Sequence, residues 1–371
     1  MNGCASDGAI KGDRMQQAKA IGVGVERKEA ERMVELLAEN DWRDLRLEPF
    51  HAQGLVFFPL KRPLLPAEKN RVEKILPLAV FGEYVFSMRS KKPRDLREAL
   101  QGILPDDELA VLVTSFDSVG DIGVIEIPPA LEKKSDAIGW ALLEVHPQFK
   151  TILRIAGAHQ GPFRIQPVQV IAGLANTVAT YRENDCVFKV DLEKAFFSPR
   201  LSTERDRIGR AIMPGETVGC WFAGVGPFPI VFCRLSKLRK AIAIELNPMA
   251  LEWMKTNVEL NKMSDRIEVV SGDVNEVVFA RYPDAFDRVV MPIPHSGEDF
   301  LSAAFFGTRS GGMIHFYSFE EKPTAFSAAA ERLRAAAAKA DCSIEIKFQR
   351  VCRSFSPMRV QVVSDVHLTK R

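Results

Sequence analysis

Residues 215–228, GETVGCWFAGVGPF, decide how the fold is read. A short apolar run leads into a small-residue turn, Ala223-Gly224-Val225-Gly226, and after Pro227 a second apolar run, Phe228-Pro229-Ile230-Val231-Phe232, reads as a helix. Strand, glycine turn and helix in that order begin a nucleotide-binding α/β unit. Glycine there lets the backbone approach a ligand where a Cβ would clash. About twenty residues later, a second apolar strand, Ala241-Ile242-Ala243-Ile244, ends in the carboxylate of Glu245, and an acid at that place binds ribose hydroxyls. The plain alternative is a βα turn whose glycines serve packing only; the strand-end acid at the right spacing weighs against it.

The residues after Glu245 narrow the class. Leu246-Asn247-Pro248 runs into a helix over 249–261. A third strand, 267–273, ends in Asp273, an acid suited to the amino group of adenine; a fourth, 288–294, ends in a proline-rich loop. A helix over 298–306, a strand over 311–317 and two late strands, 343–349 and 358–363, complete the series. This order resembles the class I methyltransferases, which bind S-adenosylmethionine on a Rossmann-like, mostly parallel sheet ending in an antiparallel hairpin. That resemblance implies donor contacts from Phe222, Ala223, Gly224, Val225 and Gly226, from Glu245, Leu246 and Asn247, from Asp273 and Val274, and from Met291.

A chain of 371 residues is long enough for two or three domains. With 46% hydrophobic and 26% charged residues it has the composition of a globular protein, and a net charge of +2 rules out a global field that would announce nucleic acid. Basic residues cluster only locally, in Arg89-Ser90-Lys91-Lys92-Pro93-Arg94 and around 234–240; each run reads equally as a solvated face. The six cysteines (Cys4, Cys186, Cys220, Cys233, Cys342, Cys352) contain no CxxC pair, which argues against zinc and against a disulfide framework and fits a reducing cytoplasm. No apolar run reaches the roughly 18 residues of a membrane span. Residues 1–20 are polar and read as a disordered leader.

Residues 21–64 read as a small α/β domain: a strand at 21–25, a helix at 28–40 with Ala30, Met33, Leu36 and Leu37 on one face, and a strand at 55–60. The prolines of 61–66 read as a linker. Residues 67–193 read as a second α/β domain, with helices at 95–104 and 128–145 and strands at 109–115, 122–127, 151–155 and 186–191. The third domain, 194–371, holds the glycine turn and an alanine-rich amphipathic helix at 328–340.

Five stretches carry a closer resemblance: Ser115-Phe-Asp-Ser-Val-Gly-Asp-Ile-Gly-Val-Ile-Glu-Ile-Pro128, Phe163-Arg164, Phe197-Ser-Pro-Arg-Leu-Ser-Thr-Glu-Arg205, Phe222-Ala-Gly-Val-Gly-Pro-Phe228 and His315-Phe-Tyr317. With them, residues 21–371 resemble the archaeal and eukaryotic-type tRNA (guanine-37-N1)-methyltransferases in their three-domain form. The resemblance implies a first domain on the outer corner of tRNA, a middle domain on the anticodon arm, and methyl transfer from S-adenosylmethionine to N1 of guanosine at position 37. N1 carries a proton at neutral pH, so a base is needed. The resemblance assigns that role to Glu204, gives Arg164 the negative charge developing on O6, and sets Arg200 and Arg205 beside the target nucleotide. A cation where charge develops is commonly the largest electrostatic contribution to such a step. On a helix Arg200 and Glu204 are i, i+4 neighbours, so a surface ion pair is the bland alternative. Ser198-Pro199 reads as an N-cap followed by proline at the first helical position.

The sequence departs from the family at two places. Cys220-Trp221 stands where an acid usually precedes the glycine turn, and Pro292-Ile293-Pro294 stands where Asn-Leu-Pro usually faces the target base. Proline offers a carbonyl but no N–H, so Pro292 and Pro294 would hold the base through backbone groups. Transfer of an aminocarboxypropyl group by a related wybutosine-pathway enzyme, and tRNA binding without catalysis, are the rival readings. The expected partners are tRNA and S-adenosylmethionine, with no protein-ligated metal, no membrane and a monomeric state.

Overall fold

The structure is a computed structural model and describes residues 17–88, 93–157, 161, 163, 165–293 and 296–370. The chain divides into two compact units, one ending at residue 92 and the other starting at residue 93.

The first unit contains β1 (Gln17–Glu26), α1 (Ala30–Glu39), β2 (Phe50–Ala52), β3 (Leu55–Pro59), α2 (Pro66–Ile75) and β4 (Val80–Ser87). Its antiparallel sheet runs β2-β3-β1-β4. Met33, Leu36 and Leu37 of α1 and Val72 of α2 bury against Val23, Val25, Val56 and Phe58. Two expectations are corrected here. Gln17–Ala20, assigned to the leader, belong to β1 and pair with Tyr84–Ser87. The prolines at 63 and 66 do not end this unit: Pro66 is the first residue of α2, where its missing N–H costs nothing, and β4 covers the edge of β1. An exposed strand edge left by β1 is a liability that the aromatic and β-branched run at 80–86 removes.

The second unit begins with α3 (Leu96–Ala99), α4 (Asp106–Val111), β5 (Phe116–Val119), β6 (Ile122–Glu126), α5 (Ser135–Val145), β7 (Thr151–Ile155) and β8 (Val168–Gly173), then the hairpin β9 (Val178–Glu183) and β10 (Cys186–Asp191). Strands β5 to β8 form one sheet. The strand expected over 109–115 does not form: 109–111 end the helix α4 and 112–115 are irregular; Asp106, Asp107 and Glu108 crowd the first turn of α4, where carboxylates favour a helix start. The helix expected over 128–145 divides into a 3-10 turn, Pro129–Lys134, and α5. That expected over 95–104 shortens to α3, capped by Asp95.

The remainder is α6 (Ser202–Ala211), β11 (Thr217–Trp221), α7 (Pro227–Leu235), β12 (Lys240–Glu245), α8 (Pro248–Leu260), β13 (Ile267–Ser271), α9 (Val274–Arg281), β14 (Phe286–Met291), α10 (Leu301–Gly307), β15 (Thr308–Glu321), α11 (Ala325–Lys339), β16 (Cys342–Ser354) and β17 (Arg359–Lys370). The sheet order is β13-β12-β11-β14-β15-β17-β16, parallel from β13 to β15 and antiparallel in the last two pairings. This is the Rossmann-like methyltransferase architecture expected, terminal hairpin included. Successive strand residues point to opposite faces. Val218, Cys220, Ala241 and Ala243 therefore pack with α6, α7 and α8, while Trp221, Ile242, Ile244 and Val289 pack with α9, α10 and α11. The order reverses at β11, between β12 and β14, and ligands of open α/β sheets bind at the carboxyl ends of strands at such a switch point.

Candidate active site

The glycine turn leaves β11 at that switch point. Phe222 and Gly224 adopt left-handed backbone (φ 52° and 56°), and Gly226 (φ 87°) caps α7 ahead of Pro227. A Cβ on Gly226 would lie 2.9 Å from Met254 Cγ, so this glycine is required by packing. A Cβ on Gly224 would meet nothing nearer than the Phe196 carbonyl at 3.6 Å. Its open side leaves backbone for a ligand to approach, which is the fit a donor nucleoside needs. The Arg205 guanidinium lies over the ring of Phe228 at the start of α7, which puts the 196–205 stretch beside the turn.

Glu245 holds the turn. Its Oε2 accepts from the Gly224 N–H (2.7 Å), and its Oε1 accepts from the N–H groups of Leu246 (2.9 Å) and Asn247 (2.8 Å). Burial pushes its carboxyl above the usual range, against the pull of those three N–H groups. Asn247 caps α8 by accepting from the Met249 N–H, and its amide donates to the Lys194 carbonyl. Asp273 caps α9, accepting from the N–H groups of Asn275 (2.8 Å) and Glu276 (3.4 Å) through Oδ1. Val274 and Met291 are buried in the core, and Leu246 is exposed. Ala223 and Val225 are buried as well. The Val225 carbonyl accepts from the amide of Asn257, which also exchanges hydrogen bonds with both backbone groups of Lys189 on β10. Sequence reasoning missed Asn257. Its signal was an amide on the otherwise apolar face of α8, four residues before Asn261, which pairs with Val187 in the same way. The Cys220-Trp221 departure is buried: Trp221 packs edge-on against Phe286, and its indole N–H has no hydrogen-bond partner among the described residues.

Glu204 is buried, at 1% exposure, near the carboxyl ends of the strands. Its Oε2 accepts from Arg207 (Nη2 2.8 Å, Nε 3.2 Å) and from the Tyr317 hydroxyl (3.2 Å). Its Oε1 lies 2.6 Å from Arg350 Nε on β16, but the pair lacks hydrogen-bond geometry, and neither atom has a hydrogen bond among the described residues. Tyr317 follows Phe316, which pairs with Met291 at the end of β14, so Glu204 stands close to the Pro292 end of that strand. Burial holds the Tyr317 hydroxyl well above its usual range, and it remains a donor.

A buried charge network continues behind Glu204. Arg207 also donates to Asp365 (2.5 and 3.1 Å), Asp365 meets His315 Nδ1 (2.6 Å), His315 Nε2 meets Arg288 (2.8 Å), and Arg288 pairs with Glu216 (2.8 Å). An arginine only donates, so Nε2 is the acceptor and the His315 proton sits on Nδ1, facing Asp365. Burial pushes His315 below its usual range and keeps it neutral. Burial would raise Asp365, but hydrogen bonds from His315 and Arg207 and the charge of Arg207 overcome it and bring Asp365 down to about 2.

The expected neighbours of Glu204 are placed differently. Arg200 lies in a 3-10 turn, Pro199–Leu201, ahead of α6 and pairs with Asp117 (2.6 Å), not with Glu204. The i, i+4 geometry fails because the helix starts only at Ser202. Arg205, also 1% exposed, pairs with both oxygens of Glu183 on β9 (2.5 and 2.7 Å) between the rings of Phe197 and Phe228. Phe197 therefore packs against Arg205. Ser198 caps its turn as expected, accepting from the Arg200 N–H. Pro292 is half-buried. Arg164 and Pro294 lie outside the described residues. Among the described residues no cluster of His, Cys, Asp and Glu has a metal-binding arrangement, and no helix is long and apolar enough to cross a membrane.

Comparison with known proteins places this geometry. The TRM5/TYW2 methyltransferase domain matches residues 179–345, and the TYW2 N-terminal domain matches residues 96–177. The chain is 33% identical over 280 residues to the tRNA (guanine(37)-N(1))-methyltransferase Trm5b of Pyrococcus abyssi, spanning 76% of this chain and 82% of that protein. The crystal structure of Trm5b from Pyrococcus abyssi superposes with a TM-score of 0.68 at 30% identity, over 94% of this chain and 99% of that one. The structure of aTrm5 in complex with tRNALeu superposes with a TM-score of 0.71 at 26% identity, over 93% and 99%. The chain belongs to the TRM5/TYW2 methyltransferase family and is an enzyme of tRNA modification.

Proposed function

We propose that this enzyme transfers the methyl group of S-adenosylmethionine to N1 of guanosine at position 37 of tRNA. The observation that carries the reading is the packing of Arg205 on Phe228, which sets the 196–205 stretch beside the glycine turn and so supports a donor nucleoside and the buried Glu204 carboxylate at the same end of the sheet. Gly224, Glu245 and Asp273 would hold the donor, with Glu245 toward the ribose and Asp273 toward the adenine. The unit ending at residue 92 would take the tRNA corner and residues 93–193 the anticodon arm; Arg200 would flank the target nucleotide, and Arg205, buried against Glu183, would hold the segment behind it. Glu204 Oε1 takes the N1 proton. The freed electron pair accepts the methyl group as its bond to sulfur breaks, and the sulfur leaves as a neutral thioether. Arg164 would meet the charge passing to O6.

The test is mass analysis of tRNA after incubation with the donor, using transcripts carrying guanosine or adenosine at position 37. One added methyl on the guanosine transcript alone supports the reading; no addition overturns it. A second reading, aminocarboxypropyl transfer, is favoured by the match of residues 96–177 to the TYW2 N-terminal domain, and a larger adduct in the same assay would identify it. A base at Glu204 predicts that Glu204→Gln lowers single-turnover methylation by about two orders of magnitude with donor affinity retained. Raising the pH should restore part of that rate, because N1 then loses its proton to solvent. A wild-type rate at neutral pH would refute the assignment.

A further inference from the structure

Among the described residues, Glu204 Oε1 has one ion-pair partner, Arg350, and the two sit side by side at 2.6 Å without sharing a hydrogen bond. The other oxygen is saturated by Arg207 and Tyr317, so Oε1 is the acceptor with capacity to spare. Arg350 is about one-third exposed (32%), whereas Glu204 is buried beneath it. The guanidinium is anchored by β16, whose pairing fixes Arg350 opposite Val363 of β17. It also reaches the Cys352 thiol, which burial first and the nearby Glu204 charge second push up to about 12, so the thiol stays neutral.

A carboxylate acceptor beside a guanidinium donor matches the O6–N1 edge of guanine: O6 accepts and N1–H donates. Adenine presents the reverse, an amino donor against the guanidinium and a bare nitrogen against the carboxylate. We propose that Arg350 is a specificity-determining residue that covers Glu204 Oε1 in the free enzyme and turns to O6 of the target base, uncovering Oε1 to take the N1 proton. The inference rests on the guanosine-methylating reading above. It makes exposure of the base conditional on an O6 acceptor, because only such an atom replaces the ion pair that Arg350 gives up. O6 has two lone pairs, so the role assigned to Arg164 is compatible with it.

The experiment compares single-turnover methylation of a guanosine-37 transcript by the full-length wild type, Arg350→Gln, Arg350→Lys, Glu204→Gln and the Arg350→Gln/Glu204→Gln double variant, with donor and tRNA affinities measured for each. Arg350→Gln should slow the chemical step by about 100-fold, the loss typical of one donor at a developing oxyanion, with both affinities kept within about threefold. Because Arg350 on O6 and Glu204 on N1 act as one unit in a single proton removal, the double variant should be no more than about threefold slower than Glu204→Gln alone. Arg350→Lys, which keeps the charge and loses the planar fork, should fall between wild type and Arg350→Gln; it is the variant to read if Arg350→Gln fails to bind the donor. A wild-type rate in Arg350→Gln, a loss confined to tRNA affinity, or effects that multiply in the double variant would each overturn the inference. Failure of the wild type to methylate the transcript would instead overturn the reading beneath it.

Discussion

Asp365→Asn tests whether the buried network behind Glu204 holds α6 on the sheet. The substitution keeps the volume of a nearly buried side chain (7% exposed) and removes its charge. Three hydrogen bonds depend on that charge: two from Arg207 (2.5 and 3.1 Å) and one from His315 Nδ1 (2.6 Å). Asparagine retains one acceptor for His315 or Arg207 and turns an amide donor toward the other, so at least one donor faces a donor. Removing one partner of a buried ion pair costs about 3–5 kcal/mol. Arg207 keeps Glu204 as a partner and is one-quarter exposed (25%), which puts the effect at the low end, about 3 kcal/mol. At about 2–4 °C per kcal/mol for a unit of this size, the melting temperature should fall by about 6 °C or more. Calorimetric or urea unfolding at pH 7 measures it, with donor affinity as the check that the turn around Glu245 is intact. A loss below about 0.5 kcal/mol, the range of ordinary surface substitutions, would refute the network as a stabilising element.

The same groups set a pH dependence. His315 is depressed in the fold, so its contribution is lost as the pH falls below the ordinary histidine value; Asp365 is depressed to about 2, so its contribution is present above the ordinary carboxylate range and lost as the pH falls toward about 2. Unfolding titrations should show stability falling on acidification from about pH 6.5, with the slope between pH 7 and 5 reduced in His315→Gln; an unchanged slope would remove His315 from the account. Glu245→Ala should weaken binding of S-adenosylmethionine by more than about 1 kcal/mol, and calorimetry showing unchanged affinity would refute the donor-site assignment. Because burial raises the Glu245 carboxyl, donor affinity should decline on acidification earlier than an ordinary carboxylate would make it. Gly226→Ala should cost about 1–3 kcal/mol, from its positive φ and the 2.9 Å approach to Met254, whereas Gly224→Ala should cost less stability and more donor affinity. Pro292→Asn should be tolerated and retain single-turnover methylation if backbone groups there hold the base; loss of methylation with donor binding intact would refute that equivalence.

Local chemistry was enough to read the nucleotide-binding core from the sequence. A glycine turn between an apolar strand and an apolar helix, followed by strand-end acids, reflects short-range constraints: φ signs, caps and period-two burial. Phe222 to Gly226, Glu245, Asn247 and Asp273 lie where that grammar puts them, and the seven-stranded order agrees with it. The cap Ser198 was legible for the same reason, since it acts on an N–H two residues away; Asn247 and Asp273, read only as donor contacts, are caps of the same short range.

Partners distant in the chain were not legible. Nothing within four residues of Glu204 announces Tyr317 or Arg350, which are 113 and 146 positions away and reach it only because β15 and β16 close the sheet beside α6. Arg200 shows the converse. Its i, i+4 spacing from Glu204 promised a pair, but Pro199 opens a 3-10 turn ahead of the helix and sends the guanidinium to Asp117. Likewise Pro66 looked like a linker residue and is a helix start, because whether a chain continues a domain depends on a strand edge, that of β1, which β4 alone covers on that side. Sequence determined the residue types and the local backbone around the site. Only the tertiary structure decided which charges meet, because a buried charge must find a partner and folding brings that partner from anywhere along the chain.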